Sequence, residues 1–238
     1  MKSNRPITSR LPIILALVAV FVAMPLLLIS ENPPTTSEEQ AALSPDAVLA
    51  DLLAGNARYV EGKLTERDIP KEVKASAGGQ FPKAVILSCL DSRVPVEQVF
   101  NQGIGDVFVG RVAGNIENED QLGSMEFATK AAGAKLVLVL GHEACGAVKG
   151  ACDGVEMGNL TALLSKIKPA IEQTKGFEGE RNSKNDAFVA KVIEENVRQT
   201  VADIRSRSEV LAELETQGAI KIVGAIYSLK DGSVTLLK

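Results

Sequence analysis

Tryptophan is absent from this chain, and all aromatic residues together make up only 4% of its 238 residues. Because hydrophobic residues still account for 45% of the sequence, the chain can bury a sizeable core, which must then be mostly aliphatic. A clustered basic face is also missing, and the formal net charge is -4. These features argue against a nucleic-acid-binding protein.

Cysteine and histidine are scarce as well. The chain has three cysteines, Cys89, Cys145 and Cys152, and a single histidine, His142. Three cysteines, with Cys89 far from the pair Cys145 and Cys152, do not make a disulfide framework, and no C-x-x-C motif is present for thiol redox chemistry. Two possibilities remain open: one disulfide with one free thiol, or thiolates on a metal, which would protect them from oxidation.

The first 30 residues differ in character from the rest. A basic start, residues 1–10, precedes an uncharged apolar run, Leu11–Ile29. This order is typical of an export signal, and the run is also nearly as long as the about 20 residues that span a bilayer. We expect an exported protein, periplasmic or secreted, with residues 1–30 as a cleaved signal peptide or a retained anchor. Contact with a membrane is expected only through residues 11–29, if they are not cleaved.

The body of the chain is predicted to begin after a linker. Residues 31–43 are polar and contain a Pro-Pro pair, which is typical of a linker. Residues 44–238 are predicted to form one domain that opens with a helix over residues 45–63, with Ser44 as N-cap and Pro45 at the first helical position. Apolar residues recur at helical spacing in this N-terminal helical arm, so that its apolar face needs a partner.

Four apolar segments in the body are predicted strands that alternate with helical patterns. The first three are nearly continuous hydrophobic runs, which is typical of parallel strands buried on both faces. The alternation predicts an α/β fold with a central, mostly parallel sheet flanked by helices, and the chain end is predicted to be a hairpin that turns at Asp231-Gly232. The predicted strands are Ala84–Cys89, Asp106–Arg111, Lys135–Gly141 and Ile220–Leu229.

Chemically active residues follow two of these strands. Cys89 ends the first, and His142 and Cys145 follow the third. Ligand sites in parallel α/β sheets form beyond the carboxyl ends of the strands, so these three side chains are expected to meet at one edge. Two thiolates and one imidazole suit zinc and leave a fourth position open, as in catalytic zinc sites. The alternatives are a structural zinc site that recruits Cys152 and a buried cluster without metal.

The turn after Cys89 also carries an acid and a base. Asp91 and Arg93 stand two residues apart, and alone they would be a surface ion pair of little energetic value. Beside a metal, Asp91 is a candidate for the fourth ligand position. Arg93 is expected to hold its carboxylate away with a forked hydrogen bond, so that Asp91 accepts a proton in the reaction.

Four motifs together resemble the β-class carbonic anhydrases, in particular the plant-type subgroup. They are CLDSR (Cys89–Arg93), RVAGN (Arg111–Asn115), SMEFA (Ser124–Ala128) and GHEACGAVKGA (Gly141–Ala151), and the similarity extends from about Ala47 to the end of the chain. The resemblance implies a zinc enzyme that interconverts carbon dioxide and bicarbonate, with one Zn2+ per chain held by Cys89, His142 and Cys145. It further implies the Asp91–Arg93 dyad.

The resemblance also has implications for substrate and assembly. Gln80 matches a glutamine that hydrogen-bonds a substrate oxygen, and the backbone of Gly146 is expected to line the substrate space. The family forms dimers in which an N-terminal helix embraces the neighbour, so a homodimer or a dimer of dimers is expected. Two alternatives are hydrolysis of a carbon dioxide analogue, such as carbonyl sulfide or carbon disulfide, and a non-catalytic structural zinc module.

Overall fold

The computed structural model describes residues 34–238. The predicted export segment, residues 1–30, lies outside the described residues. Among residues 34–238, no helix combines the length and the hydropathy needed to cross a bilayer.

A five-stranded sheet forms the centre of the described domain. Its strands are β1 (Ala84–Ser88), β2 (Val107–Arg111), β3 (Leu136–His142), β4 (Lys221–Tyr227) and β5 (Val234–Leu236). The order is β2-β1-β3-β4-β5, with parallel pairing up to β4 and an antiparallel β4–β5 hairpin. The predicted α/β class, the four strands and the terminal hairpin are therefore confirmed, with strand ends shifted by at most two residues.

Helices cover both faces of the sheet. In chain order they are α1 (Ser37–Ala42), α2 (Pro45–Val60), α3 (Ile69–Ser76), α4 (Val96–Val99), α5 (Glu119–Glu126), α6 (Gly146–Cys152), α7 (Gly158–Ser165), α8 (Lys168–Gln173), α9 (Asp186–Arg207) and α10 (Glu209–Thr216). A 3-10 turn spans Ala113–Asn115, and a π-helical turn, Phe127–Ala131, extends α5.

The helical arm α2 begins as predicted. The Ser44 hydroxyl accepts a hydrogen bond from the N–H of Ala47, and Pro45 occupies the first helical turn. Its buried residues Val48 and Leu52 pack in one apolar cluster with Ile86 and Leu138. The apolar face of α2 thus finds the partner that the sequence required in the sheet of its own chain. That an N-terminal helix also embraces a neighbouring chain, as the resemblance implies, stays a prediction.

The opposite face of the sheet packs against α9 and α10. Strand residues alternate between the two faces, so Leu87 and Val139 join a second cluster with Val197 and Val201 of α9. Gly224 of β4 lies directly beneath α9, because a Cβ at this position would come within 2.6 Å of a Val197 methyl carbon. Packed side chains therefore cover both faces of the sheet, so a functional site is expected at the carboxyl ends of its strands.

The segment predicted as a linker, residues 31–43, contains a docked helix. Thr36 caps α1 by accepting from the N–H of Glu39, whose carboxylate accepts from the Thr36 N–H in return. The buried Gln40 side chain donates to the carbonyls of Pro82 and Ala132, at 2.7 and 2.8 Å. Because these bonds tie α1 to the loops before β1 and β3, the linker interpretation is wrong for residues 37–42.

Candidate metal centre

Three potential metal ligands meet at the carboxyl ends of two adjacent strands. Parallel pairing of β1 with β3 brings Cys89, which follows β1, beside His142, the last residue of β3. Cys145 is the N-cap of α6. All three side chains are buried, the two sulfur atoms lie 3.9 Å apart, and the three ligand atoms lie within 4.8 Å of one another.

A tight turn returns the chain from His142 to Cys145. Ala144 adopts a left-handed conformation, with φ of 51°, which is unfavourable for a residue with a Cβ. Glu143 fixes the turn: its N–H donates to the carbonyl of Tyr227, and its carboxylate accepts from the N–H of Leu229 at 3.0 Å. The end of β4 therefore holds the turn that places Cys145.

The orientation of His142 is fixed by its backbone neighbour. The Nδ1 atom lies 2.8 Å from the carbonyl oxygen of Glu143, which can only accept, so Nδ1 carries the hydrogen. The other ring nitrogen, Nε2, then carries a free lone pair, and it is buried without a hydrogen-bond partner in the described chain. An orphaned buried acceptor is costly in a native protein unless an ion or water fills the space. This arrangement fits a metal-ligating histidine.

The two thiols interact strongly. The hydrogen bond between them lowers the pKa of Cys89 and raises the pKa of Cys145, because the proton that remains on Cys145 stabilises the Cys89 thiolate. The N–H of Gly114 also points to the Cys89 sulfur, at 3.3 Å. In a tetrahedral zinc site with Zn–S bonds of about 2.3 Å, the sulfur atoms stand about 3.8 Å apart. The observed 3.9 Å separation fits this geometry.

Asp91 and Arg93 form the forked pair that the sequence predicted. Arg93 donates to Oδ1 of Asp91 from its N–H and its Nε, both at 2.9 Å, and to Oδ2 from Nη2 at 2.7 Å. These bonds hold the pKa of Asp91 well below its usual range, against the effect of burial. Oδ2 nevertheless lies only 3.8 Å from Nε2 of His142, so a small rotation separates Asp91 from the metal ligands.

Arg111 holds the backbone of this turn. Its guanidinium donates to the carbonyls of Cys89, Asp91 and Val94, at 3.2, 2.7 and 2.9 Å. From the sequence, Arg111 stands out only as part of the motif RVAGN, and this role was not predicted. Its position at the end of β2, beside β1 in the sheet, is the signal that could have indicated it.

The remaining site candidates lie at different distances from the cluster. Gly146 follows Cys145 directly, and a Cβ there would meet nothing within 4 Å, so open space adjoins its backbone. Gln80 is exposed in the loop before β1, towards the amino-terminal edge of the sheet, and no hydrogen bond joins it to the cluster within residues 34–238. Cys152 ends α6 outside the ligand group, and burial raises the pKa of its thiol to about 11. Cys152 therefore does not supply a fourth ligand.

A cleft of about 620 Å³ opens beside the dyad. Arg93, Glu143 and Ala144 form one wall, and residues of α9 and of the β4–β5 hairpin form the others, Lys230 among them.

Comparison with known proteins agrees with these observations. The sequence profile described as carbonic anhydrase matches residues 84–234. Carbonic anhydrase 2 of Mycobacterium tuberculosis is 35% identical over 201 residues, which cover 81% of this chain and 93% of that protein. The carbonic anhydrase of Mycolicibacterium smegmatis is 36% identical over the same length, with the same coverage of 81% and 93%.

Solved structures give the same result for the fold. The β-carbonic anhydrase CafA of Aspergillus fumigatus superimposes with a TM-score of 0.64 at 25% identity, covering 81% of this chain and 90% of that one. A tetrameric β-carbonic anhydrase of Sordaria macrospora gives a TM-score of 0.62 at 24% identity, covering 80% and 96%. On the profile match, the identity to curated relatives and the shared architecture, the chain belongs to the carbonic anhydrase family, in its β class.

Proposed function

We propose that Cys89, His142 and Cys145 hold one zinc ion per chain, at which this carbonic anhydrase hydrates carbon dioxide reversibly to bicarbonate and a proton. The observation that carries the proposal is the buried, unpartnered Nε2 of His142 within a group of ligand atoms that lie at most 4.8 Å apart. When bound at such a site, zinc lowers the pKa of water and supplies the nucleophile at neutral pH.

The surrounding residues have separate tasks in this proposal. Asp91 is ionised, with a pKa that the hydrogen bonds from Arg93 lower further, so its carboxylate can accept a hydrogen bond and then a proton beside the ligand cluster. Arg93 keeps Asp91 from turning towards the ligand atoms, from which Oδ2 is only 3.8 Å away at His142. The open space at Gly146 leaves room for a small linear substrate beside Cys145.

The experiment combines zinc analysis with a carbon dioxide hydration assay on the full chain. The parent is expected to contain one zinc per chain and to be active, whereas Cys89→Ser should lose most of both. Cys152→Ser is the matched control, since Cys152 lies outside the ligand group and should be dispensable. Full zinc occupancy in Cys89→Ser would refute the ligand assignment.

The two alternative functions have less support. The chain is a carbonic anhydrase by family, and within residues 34–238 no third thiolate closes the site as a structural zinc module would require. Carbonyl sulfide and carbon disulfide can be offered in parallel assays. Turnover of either at a higher kcat/KM than carbon dioxide would reverse the assignment of substrate.

We further propose that the enzyme is a homodimer formed through α3 and the edge of β2. Helix α3 buries a charged residue and exposes apolar ones, the reverse of what is expected in a monomer. Its only buried residue is Glu72, whereas Ile69 and Val73 are 49% and 52% exposed. Ile104, which is 36% exposed, precedes β2, and within residues 34–238 β2 pairs with a neighbour on one side only. An exposed apolar surface next to an unpaired strand edge is typical of an interaction site.

The dimer would also explain how Gln80 could reach a substrate at the ligand cluster. This residue follows α3 and precedes the amino end of β1, whereas the ligand cluster lies at the carboxyl ends of the strands. A substrate role for Gln80 therefore requires that a second copy bring it to the site.

Val73→Asp should yield a monomer by light scattering, with reduced turnover and retained zinc. Met157→Asp is the control, because Met157 is 65% exposed outside this surface. A Val73→Asp protein that remains dimeric would refute the interface, and the parent's mass separates a dimer from a dimer of dimers.

The protein is further proposed to act outside the cytoplasm. The support is the basic start and the apolar run of residues 11–29, which would direct export of the domain 44–238. Fractionation of expressing cells should find activity in the periplasm or the medium, or in the membrane if the run is retained. N-terminal sequencing of the mature protein distinguishes cleavage from anchoring, and activity confined to the cytosol would refute export.

A further inference from the structure

We propose that a second cleft, at the amino-terminal edge of the sheet, binds a small oxyanion that carries one hydrogen. The cleft has a volume of about 510 Å³ and lies between α2 and the loops that precede β1 and β2. Asp51, Arg58, Lys83, Gln102 and Asp106 are among the residues that line it. The metal centre lies at the other end of the strands, so this is a separate site.

Arg58 is a cation without a partner in this cleft. Within residues 34–238 its guanidinium forms no hydrogen bond or ion pair, and its Nε is buried. The other charged groups of the cleft are engaged. Lys83 pairs with Asp51 at 2.8 Å, and the Asp106 carboxylate accepts from the N–H of Gly103 at 2.7 Å. Arg67 pairs with Glu72 at 3.0 Å.

Gln102 offers the complementary unfilled group. It is 93% buried, its Nε2 donates to the carbonyl of Phe100 at 2.8 Å, and its Oε1 is buried without a donor. Gly55 allows α2 to approach the segment from Phe100 to Gln102 closely. A Cβ at Gly55 would lie 1.9 Å from the Phe100 oxygen and 3.5 Å from Nε2 of Gln102. Arg58 follows Gly55 by one helical turn, on the same side of α2. The free donor and the free acceptor are therefore neighbours on one wall.

This wall is rigid. Asn101, beside Gln102, is held in a left-handed conformation with φ of 52°. Its side chain accepts from the N–H of Thr65 at 3.0 Å and donates to the Thr65 hydroxyl at 2.9 Å, and Arg67 donates to its carbonyl at 2.8 Å. Strained residues that several bonds hold in place are concentrated at ligand sites, where they orient the binding groups in advance.

The two free groups define the ligand. Arg58 needs an acceptor and favours a negative charge, whereas Oε1 of Gln102 needs a hydrogen donor, and leaving either buried group unpaired is costly. One small molecule satisfies both if it is an anion with an acidic hydrogen. Inorganic phosphate in its protonated forms has this chemistry. Sulfate has a similar shape and charge but no hydrogen to donate.

Calorimetric titration of the full, zinc-loaded chain with phosphate, and separately with sulfate, at mildly acidic pH tests the proposal. Phosphate should bind, sulfate should bind at least tenfold more weakly, and Arg58→Gln should weaken phosphate binding at least tenfold. Gln102→Met should reduce the preference for phosphate over sulfate. Because Arg58 has no partner, Arg58→Gln should keep the parent's melting temperature and its carbon dioxide hydration.

Two controls locate the binding. Lys184→Gln removes an exposed charge elsewhere and should leave phosphate affinity unchanged, and Cys89→Ser should retain phosphate binding, since the anion does not sit at the metal centre. The proposal is overturned if the parent gives no heat with phosphate, if Arg58→Gln binds phosphate as tightly as the parent, or if sulfate binds equally well.

Discussion

Asn196 of α9 donates a hydrogen bond of 2.8 Å from its side-chain amide to the carbonyl of Gly114, whose N–H lies 3.3 Å from the Cys89 sulfur. Asn196 is 2% exposed, and within residues 34–238 no hydrogen bond joins its side chain to a metal ligand. Gly114 has a left-handed φ of 73°, and a Cβ there would come within 2.8 Å of an Ile167 methyl carbon. A buried amide on the far helix thus sets the position of one N–H donor to a ligand thiolate.

The first prediction is that Asn196→Leu weakens zinc binding. The substitution leaves the Gly114 carbonyl buried and unpaired, which costs about 1–3 kcal/mol of the free energy of unfolding. The loop that carries the Gly114 N–H then loosens, and zinc affinity measured by competition with a chelator should fall. Thr200→Val is the control, since Thr200 lies one turn along α9 and is 1% exposed. An unchanged zinc affinity in Asn196→Leu would show that this bond serves stability alone.

Such a residue is hard to find from sequence because its role depends on a long-range contact. Cys89, His142 and Cys145 could be predicted because near-continuous apolar runs mark buried parallel strands, and parallel strands end at one edge. Nothing local indicates that Asn196 faces Gly114. The available signal is its spacing: it stands among Val189, Val192, Ile193 and Val197 on the buried face of α9, where a polar residue needs a partner.

The second prediction concerns the dyad. In Arg93→Ala the Asp91 carboxylate loses the two hydrogen bonds from the guanidinium and keeps the one from the backbone N–H, so it is free to turn towards the ligand atoms, 3.8 Å away at His142. Turnover should fall at least tenfold while zinc content stays at the parent level. X-ray absorption at the zinc edge should report a carboxylate oxygen among the ligands.

Protonation of Asp91 does not explain that loss. Without Arg93 the pKa of Asp91 returns towards an ordinary value of about 3.9, so the group remains ionised at neutral pH. The double variant Asp91→Ala, Arg93→Ala has no carboxylate to offer and should lack the added oxygen ligand. Should Arg93→Ala show the parent's zinc coordination, Arg93 would have another role.

The third prediction is a pH dependence of stability at a place far from the metal. Arg205 clamps Glu215 with two bonds of 2.7 and 2.8 Å, and the N–H of Ile222 adds a third at 3.0 Å. Burial opposes ionisation of Glu215, but these bonds outweigh it and lower its pKa. A carboxyl group whose pKa is lower in the folded than in the unfolded state stabilises the fold at pH values above its unfolded-state pKa of about 4.3. This stabilisation is lost as the pH falls through the folded-state pKa.

Urea unfolding of the parent and of Glu215→Gln tests this dependence. The difference in free energy of unfolding should be constant from neutral pH to about pH 5 and should shrink at lower pH. Glu178→Gln changes an exposed carboxylate with no hydrogen bond or ion pair in the described domain and should show no such trend. A difference that is independent of pH would mean that Glu215 acts through packing.

Helices α1 and α3 were not predicted from the sequence, for different reasons. Helix α1 carries a capping box, Thr36 with Glu39, but the preceding Pro-Pro pair and the polar composition favoured a linker. Helix α3 turns Glu72 inward to Arg67 and leaves Val73 exposed, the reverse of the usual pattern. Hydrophobic periodicity identifies a helix and its apolar face, but it does not reveal whether that face meets the same chain or another.

The last prediction concerns the proton released in each turnover. His142 is the single histidine of the chain; its Nδ1 is bound to the Glu143 carbonyl and its Nε2 faces the ligand cluster, so no imidazole is free to carry protons. Asp91, with its lowered pKa, releases protons readily but holds them poorly near neutrality. Turnover at high carbon dioxide should therefore rise with the concentration of an imidazole-type buffer at fixed pH and ionic strength, while kcat/KM stays flat. Lys230→His places an imidazole in the 620 Å³ cleft beside Arg93 and should weaken this dependence, whereas Lys230→Gln should retain it. A flat response of the parent from dilute to concentrated buffer would mean that proton release is internal or does not limit the rate.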